Sequence, residues 1–181
     1  MEKKIYVVRH CQAQGQQAFA PLTEQGIKQA QQLSEFLASQ SIDQIISSPF
    51  LRAVQSIEPL SMKNNVTIEI DERLQERILS DKDMPDWLEE LKESFQNFDL
   101  SFEGGESNRE ATNRATAVVK EILANEYSNT LLVTHGNLLS LLLHHYDSNF
   151  GFEEWKQLTN PDVFLFRFRE NQADFERIWM E

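Results

Sequence analysis

Thr130–Thr134 reads Thr-Leu-Leu-Val-Thr, apolar on both faces of any strand it forms. Such a strand needs a covering layer on each side, which is the position of a central parallel strand in an α/β fold. The run stops at His135-Gly136. A second strand-like run, Lys4–Val8, stops at Arg9-His10-Cys11. In open α/β sheets, ligands sit in the crevice outside the carboxyl ends of the strands. Two histidines at two strand ends, one beside an arginine, suggest phosphoryl-transfer chemistry without a metal.

The remaining patterns alternate strand and helix as α/β requires. Leu22-Thr23-Glu24 opens a helix to about Ser39. Thr23 is its cap, Leu22 and Ile27 form a staple, and Ile27, Ala30, Leu33 and Leu37 mark its buried stripe. Gln44–Ser47 and Val66–Ile70 read as strands. Between them, Ser48 is the expected N-cap and Pro49 the first residue of a helix. Asp86–Phe98 carries Trp87, Leu88, Leu91, Phe95 and Phe98 at helical spacing. Ser107 and Glu110 form a capping box, followed by a face of Ala111, Ala115, Val118, Val119 and Ile122. Leu138–Leu143 is a buried helix, and Val163–Phe168 and Phe175–Trp179 are late edge strands.

The expected architecture is a three-layer α/β/α sandwich with a mixed, mostly parallel central sheet. It forms one domain over residues 1–181, and residues 78–106 form a helical insertion over the site. In that insertion, Met84, Trp87 and Phe95 are expected to line or cover the pocket.

The 181 residues carry a net charge of −12, which argues against nucleic acid or an anionic membrane as partner. Residues 81–106 hold nine acids against two lysines, a net of −7. That excess is a solvated helix face or an acidic rim that disfavours polyanionic substrates. No apolar run approaches the roughly 20 residues that span a bilayer. Met1-Glu2-Lys3-Lys4 leads into a strand and lacks the pattern of a signal peptide. The single cysteine excludes an internal disulfide and fits a cytoplasmic location. His144 and His145 are adjacent, diverge on a helix and have no spaced third ligand, so no metal site is expected.

Taken singly, each candidate has a structural reading too. Arg9 and Arg52 could mark a return to solvent, His135 a core histidine, and Glu76 a surface ion pair beside Arg73 and Arg77. Their joint occurrence is what matters. Arg9-His10-Cys11, Pro21-Leu22-Thr23-Glu24-Gln25-Gly26, Ser47-Ser48-Pro49-Phe50-Leu51-Arg52-Ala53, Arg73-Leu74-Gln75-Glu76 and Thr134-His135-Gly136 stand in this order in the chain. In order and spacing they resemble the histidine phosphatase, or phosphoglycerate-mutase-like, superfamily.

The resemblance implies a nucleophile at His10 that carries a transient phosphoryl group. It implies a proton donor at Glu76 and transition-state stabilisation by His135. Arg9, Arg52 and Gly136 are the implied phosphate-binding residues; Gln16, where the family has an asparagine, can still donate to the phosphate, and Gln12 and Arg77 are candidate substrate contacts. No metal or organic cofactor is implied, and the partner is a small phosphorylated substrate. A nucleophilic histidine must be neutral, and Arg9 and Arg52 are expected to depress its pKa. Arg77 either reaches the far end of the substrate or is solvated.

Cys11 replaces the family's glycine and adds a side chain and an oxidation site. Ala13 replaces a hydroxyl residue, Gln16 an asparagine, and the loop from Gln12 to Ala20 is short. Hydrolysis of a phosphate monoester is the expected activity. A phosphoglycerate mutase and a non-catalytic phosphate-binding domain are the alternatives. The sequence does not indicate the oligomeric state.

Overall fold

The computed structural model describes residues 2–170 and 172–180. Six strands, β1 (Glu2–Arg9), β2 (Gln44–Ser47), β3 (Ile68–Ile70), β4 (Asn129–Thr134), β5 (Asp162–Arg169) and β6 (Gln172–Arg177), form one sheet. Their order is β3-β2-β4-β1-β5-β6. The first four are parallel, and β5 and β6 return antiparallel.

Side chains alternate across the sheet and feed two cores. Ile5, Val7 and Leu132 join the core covered by α4 (Asn108–Ala124) and α5 (Gly136–Tyr146). Tyr6, Val8, Leu131 and Val133 join the opposite core, covered by α1 (Glu24–Leu37) and α2 (Leu51–Asn64). This is the expected three-layer sandwich, with β4 central and buried. Within residues 78–106, α3 (Trp87–Gln96) packs against α6 (Phe152–Lys156), where Phe95 meets Phe152 edge-on.

Thr23 caps α1 by accepting from the Gly26 N–H, and Ser107 and Glu110 make the expected capping box on α4. Other local expectations fail for physical reasons. Ile27 is 57% exposed, so it forms neither a staple nor part of the buried stripe. A Cβ on Gly26 would lie 2.0 Å from the Gln12 carbonyl oxygen, so the first turn of α1 packs its glycine inward and turns Ile27 out.

Ser48 does not cap α2. The helix begins at Leu51, with Phe50 at the cap position, and the Ser48 hydroxyl is drawn to His135 instead. Strand β3 starts two residues later than expected. Val66 is used in closing α2, its N–H and carbonyl both bonded to Ser61. Strand β5 is not an edge: it lies between β1 and β6, because Val163 and Leu165 fill one core while Phe164 and Phe166 fill the other. The edge is β6, which ends at Arg177. Beyond it, Ile178 and Trp179 bond the Val163 carbonyl, and Trp179 meets Phe36 edge-on.

Candidate active site

Parallel pairing of β1 with β4 sets Arg9 opposite Thr134, so both strands deliver a histidine to the same end of the sheet. The His10 N–H extends the ladder to the Thr134 carbonyl at 3.1 Å. The rings of His10 and His135 meet at 5.1 Å between centroids, inclined by 62°.

Each histidine is anchored by one ring nitrogen. Nδ1 of His10 lies 2.7 Å from the Cys11 carbonyl, which can only accept, so the proton is assigned to Nδ1. That leaves a lone pair on Nε2, and the Arg52 Nε–H donates to it at 3.1 Å. Burial depresses the His10 pKa to about 3, and Arg52 and then Arg9 add to the effect, against the Cys11 carbonyl. The direction expected from sequence holds, but desolvation outweighs the two arginines. On His135, Nε2 bonds Ser48 Oγ at 2.8 Å, while buried Nδ1 has no protein partner. Its pKa falls well below the ordinary value, first through burial and then through His10, Arg52, Arg114 and Arg9.

The arginines reach this point from different elements. Arg52 is the second residue of α2 and only 1% exposed. Its Nη1 donates to the carbonyls of Gln16 and Gln17 at 3.1 and 2.9 Å, and its guanidinium lies over the Phe50 ring. A buried guanidinium is costly unless its donors are matched. Here backbone oxygens, rather than a carboxylate, match them. Arg9 Nη1 donates to Leu158 and Thr159 carbonyls, and its buried Nε has no protein partner. Gly136 makes room for it: a Cβ there would lie 2.9 Å from Arg9 Nε.

Glu76 follows the 3-10 turn Glu72–Leu74. Thr134 Oγ1 ties Leu74 to β4, and Arg114 holds the carbonyls of Arg73 and Gln75. The Glu76 carboxylate accepts the N–H groups of Asn137 and Leu138, in the first turn of α5, at 3.0 and 2.9 Å. It also accepts the Arg77 N–H at 2.8 Å. Two backbone donors at the N-terminus of α5 and a third from Arg77 therefore fix its orientation.

These groups border a cavity of about 630 Å³ lined by Arg9, Gln16, Glu76, Arg77, Gly136 and Asn137, with Leu79, Trp87, Leu91 and Trp155 as its apolar lining. His10, Arg52 and His135 adjoin it through their bonds and neighbours rather than lining it. Gln12 is turned elsewhere, its side-chain oxygen accepting from Thr23. Arg77 is not solvated. It is 4% exposed, and it donates to the Glu106 carbonyl and Ser94 Oγ. Of the insertion's three named residues only Trp87 lines the cavity, while Phe95 packs against Phe98, His144 and Phe152.

Cys11 does not face the site. Its side chain is buried in the core beneath α1 and α2, with its thiol pushed up to about 12 by that burial. Among the described residues, no three His, Cys, Asp or Glu side chains converge to hold a metal ion. Among the same residues, no helix is long and apolar enough to cross a membrane.

Sequence reasoning missed four contributors. Capping rules assign Ser48 to a helix start, although it stands within the Ser47–Ala53 motif, and its hydroxyl bonds His135. Asn160 donates to the His10 carbonyl at 2.8 Å from 150 residues downstream. Trp155 and Asn137 line the cavity without any local signal for it.

Comparison with known proteins decides the family. The model of the histidine phosphatase superfamily (branch 1) matches residues 5–180. This chain belongs to that superfamily. It is 32% identical over 157 residues to the "probable phosphoglycerate mutase GpmB" of Proteus mirabilis, covering 77% of this chain and 73% of that protein. The fold is similar to that of mycobacterial glucosyl-3-phosphoglycerate phosphatase, with a TM-score of 0.79 at 21% identity over 98% of both chains. It is also similar to phosphoglycerate mutase from Bacillus anthracis, with a TM-score of 0.76 at 17% identity over 98% of this chain and 92% of that one. The proteins it resembles thus include one named as a phosphatase and others named as mutases.

Proposed function

We propose that this protein hydrolyses phosphate monoesters through a phosphohistidine on His10. The observation that carries the reading is the state of His10: buried, neutral, pinned through Nδ1, with its Nε2 lone pair directed at the Arg52 guanidinium.

A phosphoryl oxygen is a stronger acceptor for Arg52 than a neutral imidazole, because charge-assisted hydrogen bonds are roughly twice as strong. Arrival of the phosphate moves the Arg52 Nε–H from His10 to that oxygen and frees the lone pair. Arg9 Nε and His135 Nδ1, both lacking protein partners, bind further phosphoryl oxygens. Nε2 of His10 attacks phosphorus as the ester P–O bond breaks, and Glu76 gives its proton to the departing alcohol. Water then attacks the phosphohistidine, Glu76 takes a proton from that water, and the P–N bond breaks to release inorganic phosphate. Charge on the equatorial oxygens is met by preorganised donors, the largest source of catalysis in such sites.

The same site would serve a mutase, and likeness to the mutase-named relatives favours that second reading. Hydrolysis is preferred because the one cation lining the cavity besides Arg9, Arg77, is already bonded to the Glu106 carbonyl and to Ser94 Oγ. Turnover of para-nitrophenyl phosphate that survives chelator and disappears in His10→Ala supports the proposal. Isomerisation of a phosphoglycerate stimulated by its bisphosphate, without net phosphate release, overturns it in favour of the mutase. Phosphate binding without either reaction supports a non-catalytic domain.

A further inference from the structure

The cavity divides chemically. Its phosphate-facing part is built by Arg9, Glu76 and Gly136, whereas Leu79, Trp87, Leu91 and Trp155 supply its apolar lining. Trp87 and Trp155 stand edge to face, their centroids 6.5 Å apart and their planes at 85°. Trp155 is backed by Phe152, stacked at 5.5 Å. Trp87 opens α3 and remains 49% exposed. Two perpendicular indoles form a corner that accepts a flat ring, stacked on one and edge-on to the other.

Charge in this region points the same way. No lysine lines the cavity. Arg77 has donors committed to Glu106 and Ser94, and its charge faces Glu106 and Glu76. Within four residues of Trp87 in the chain stand Asp83, Asp86, Glu89 and Glu90, none buried and none with an ion-pair partner among the described residues. A carboxylate or second phosphate carried by the alcohol would find Arg77 already bonded to Glu106 and Ser94 and faced by Glu76 and Glu106.

We infer that the preferred substrate is a phosphate monoester of an uncharged alcohol bearing an aromatic or similarly flat apolar group, held in the corner of Trp87 and Trp155. This rests on the phosphatase reading above.

The test compares 2-naphthylmethyl phosphate, glycerol 1-phosphate and 3-phosphoglycerate. All three have alkyl leaving groups, so leaving-group acidity does not mimic recognition. The expected order of kcat/KM is naphthylmethyl first and phosphoglycerate last. Trp87→Ala is expected to reduce the naphthylmethyl-to-glycerol ratio by about tenfold, and Trp87→Phe to restore most of it. Trp87 is half-exposed, so neither change empties the core. A preference for glycerol phosphate or phosphoglycerate, or a ratio untouched by Trp87→Ala, overturns the inference while leaving the phosphatase intact.

A binding arm separates the two claims. Naphthylmethylphosphonate should quench tryptophan fluorescence at lower concentration than it takes methylphosphonate to displace it. If no ester is hydrolysed, the phosphatase reading fails, and the phosphonates still decide whether the corner selects flat rings. Equal affinity for the two phosphonates overturns that selection.

Discussion

The Nε–H of Arg52 points at Nε2 of His10 from 3.1 Å, although the two residues lie 42 positions apart. The bond joins the end of a strand to the first turn of a helix. It occupies the Nε2 lone pair of His10, the atom proposed to attack phosphorus.

Arg52→Lys is therefore expected to lose far more than charge conservation suggests. A lysine keeps one charge but cannot fork between His10, the Gln16 and Gln17 carbonyls and a phosphoryl oxygen. Loss of one such donor costs about 10²–10³ in turnover. Steady-state kinetics on para-nitrophenyl phosphate measure it, and a loss of only severalfold would show that a point charge suffices.

Glu76→Gln separates the acid's role from the nucleophile's. In the first turnover, measured by rapid mixing before the phosphohistidine hydrolyses, esters of poorly leaving alkyl alcohols need the proton and should slow by about 10²–10⁴, whereas para-nitrophenyl phosphate, whose leaving group departs as an anion, should slow much less. An equal loss on both esters in that first turnover would assign Glu76 to holding α5 rather than to protonating the leaving group.

Gly136→Ala probes the space around Arg9. The added Cβ would stand 2.9 Å from Arg9 Nε and 3.0 Å from Cζ, so the guanidinium must shift. Strain of this kind costs about 1–3 kcal/mol. It should appear mainly as weakened inhibition by phosphate or vanadate, with the thermal unfolding midpoint read alongside. Unchanged inhibition would show that Arg9 is not a phosphate ligand.

Burial of His10 also sets a pH dependence. Its folded-state pKa is about 3 and its ordinary value 6.5, so between those values the unfolded chain binds a proton that the folded chain does not. Stability is full above pH 6.5 and falls as pH drops toward 3, by about 1.4 kcal/mol per pH unit from this residue. His135, also shifted down, adds to the slope. Urea midpoints from pH 7 to 5 test this. Histidine NMR should show no His10 titration over that range, and a midpoint near 6.5 would contradict the assigned neutral state.

Cys11 is expected to be inert in the folded protein. The thiol is 0% exposed and its pKa is pushed up to about 12, which removes the thiolate that alkylating agents and peroxide require. Iodoacetamide labelling should need denaturant, and rapid labelling of the native protein would refute the buried placement.

Much of this was legible in the sequence because strand-end chemistry is local. Arg9-His10 and Thr134-His135 each announce a strand and its terminus in a few residues, and the both-faces-apolar run at Thr130–Thr134 fixes the three-layer arrangement. Capping rules found Thr23 and Ser107 but misassigned Ser48. A buried imidazole offered its hydroxyl a better partner than the helix did. Val163–Phe168 read as an edge because its aromatic alternation does not reveal that both faces are buried. The partnerships of Asn160 with His10 and of Trp155 with Trp87 join segments that only the folded sheet and α3–α6 packing bring together.

The most direct test of the central claim is the covalent state of His10 during turnover. Wild-type protein mixed with para-nitrophenyl phosphate and quenched in alkali, where phosphohistidine survives, should yield a phosphorylated peptide containing His10, and His10→Asn should yield none. Sustained turnover with no phosphoryl group on His10, or with the group on another residue, would contradict the account.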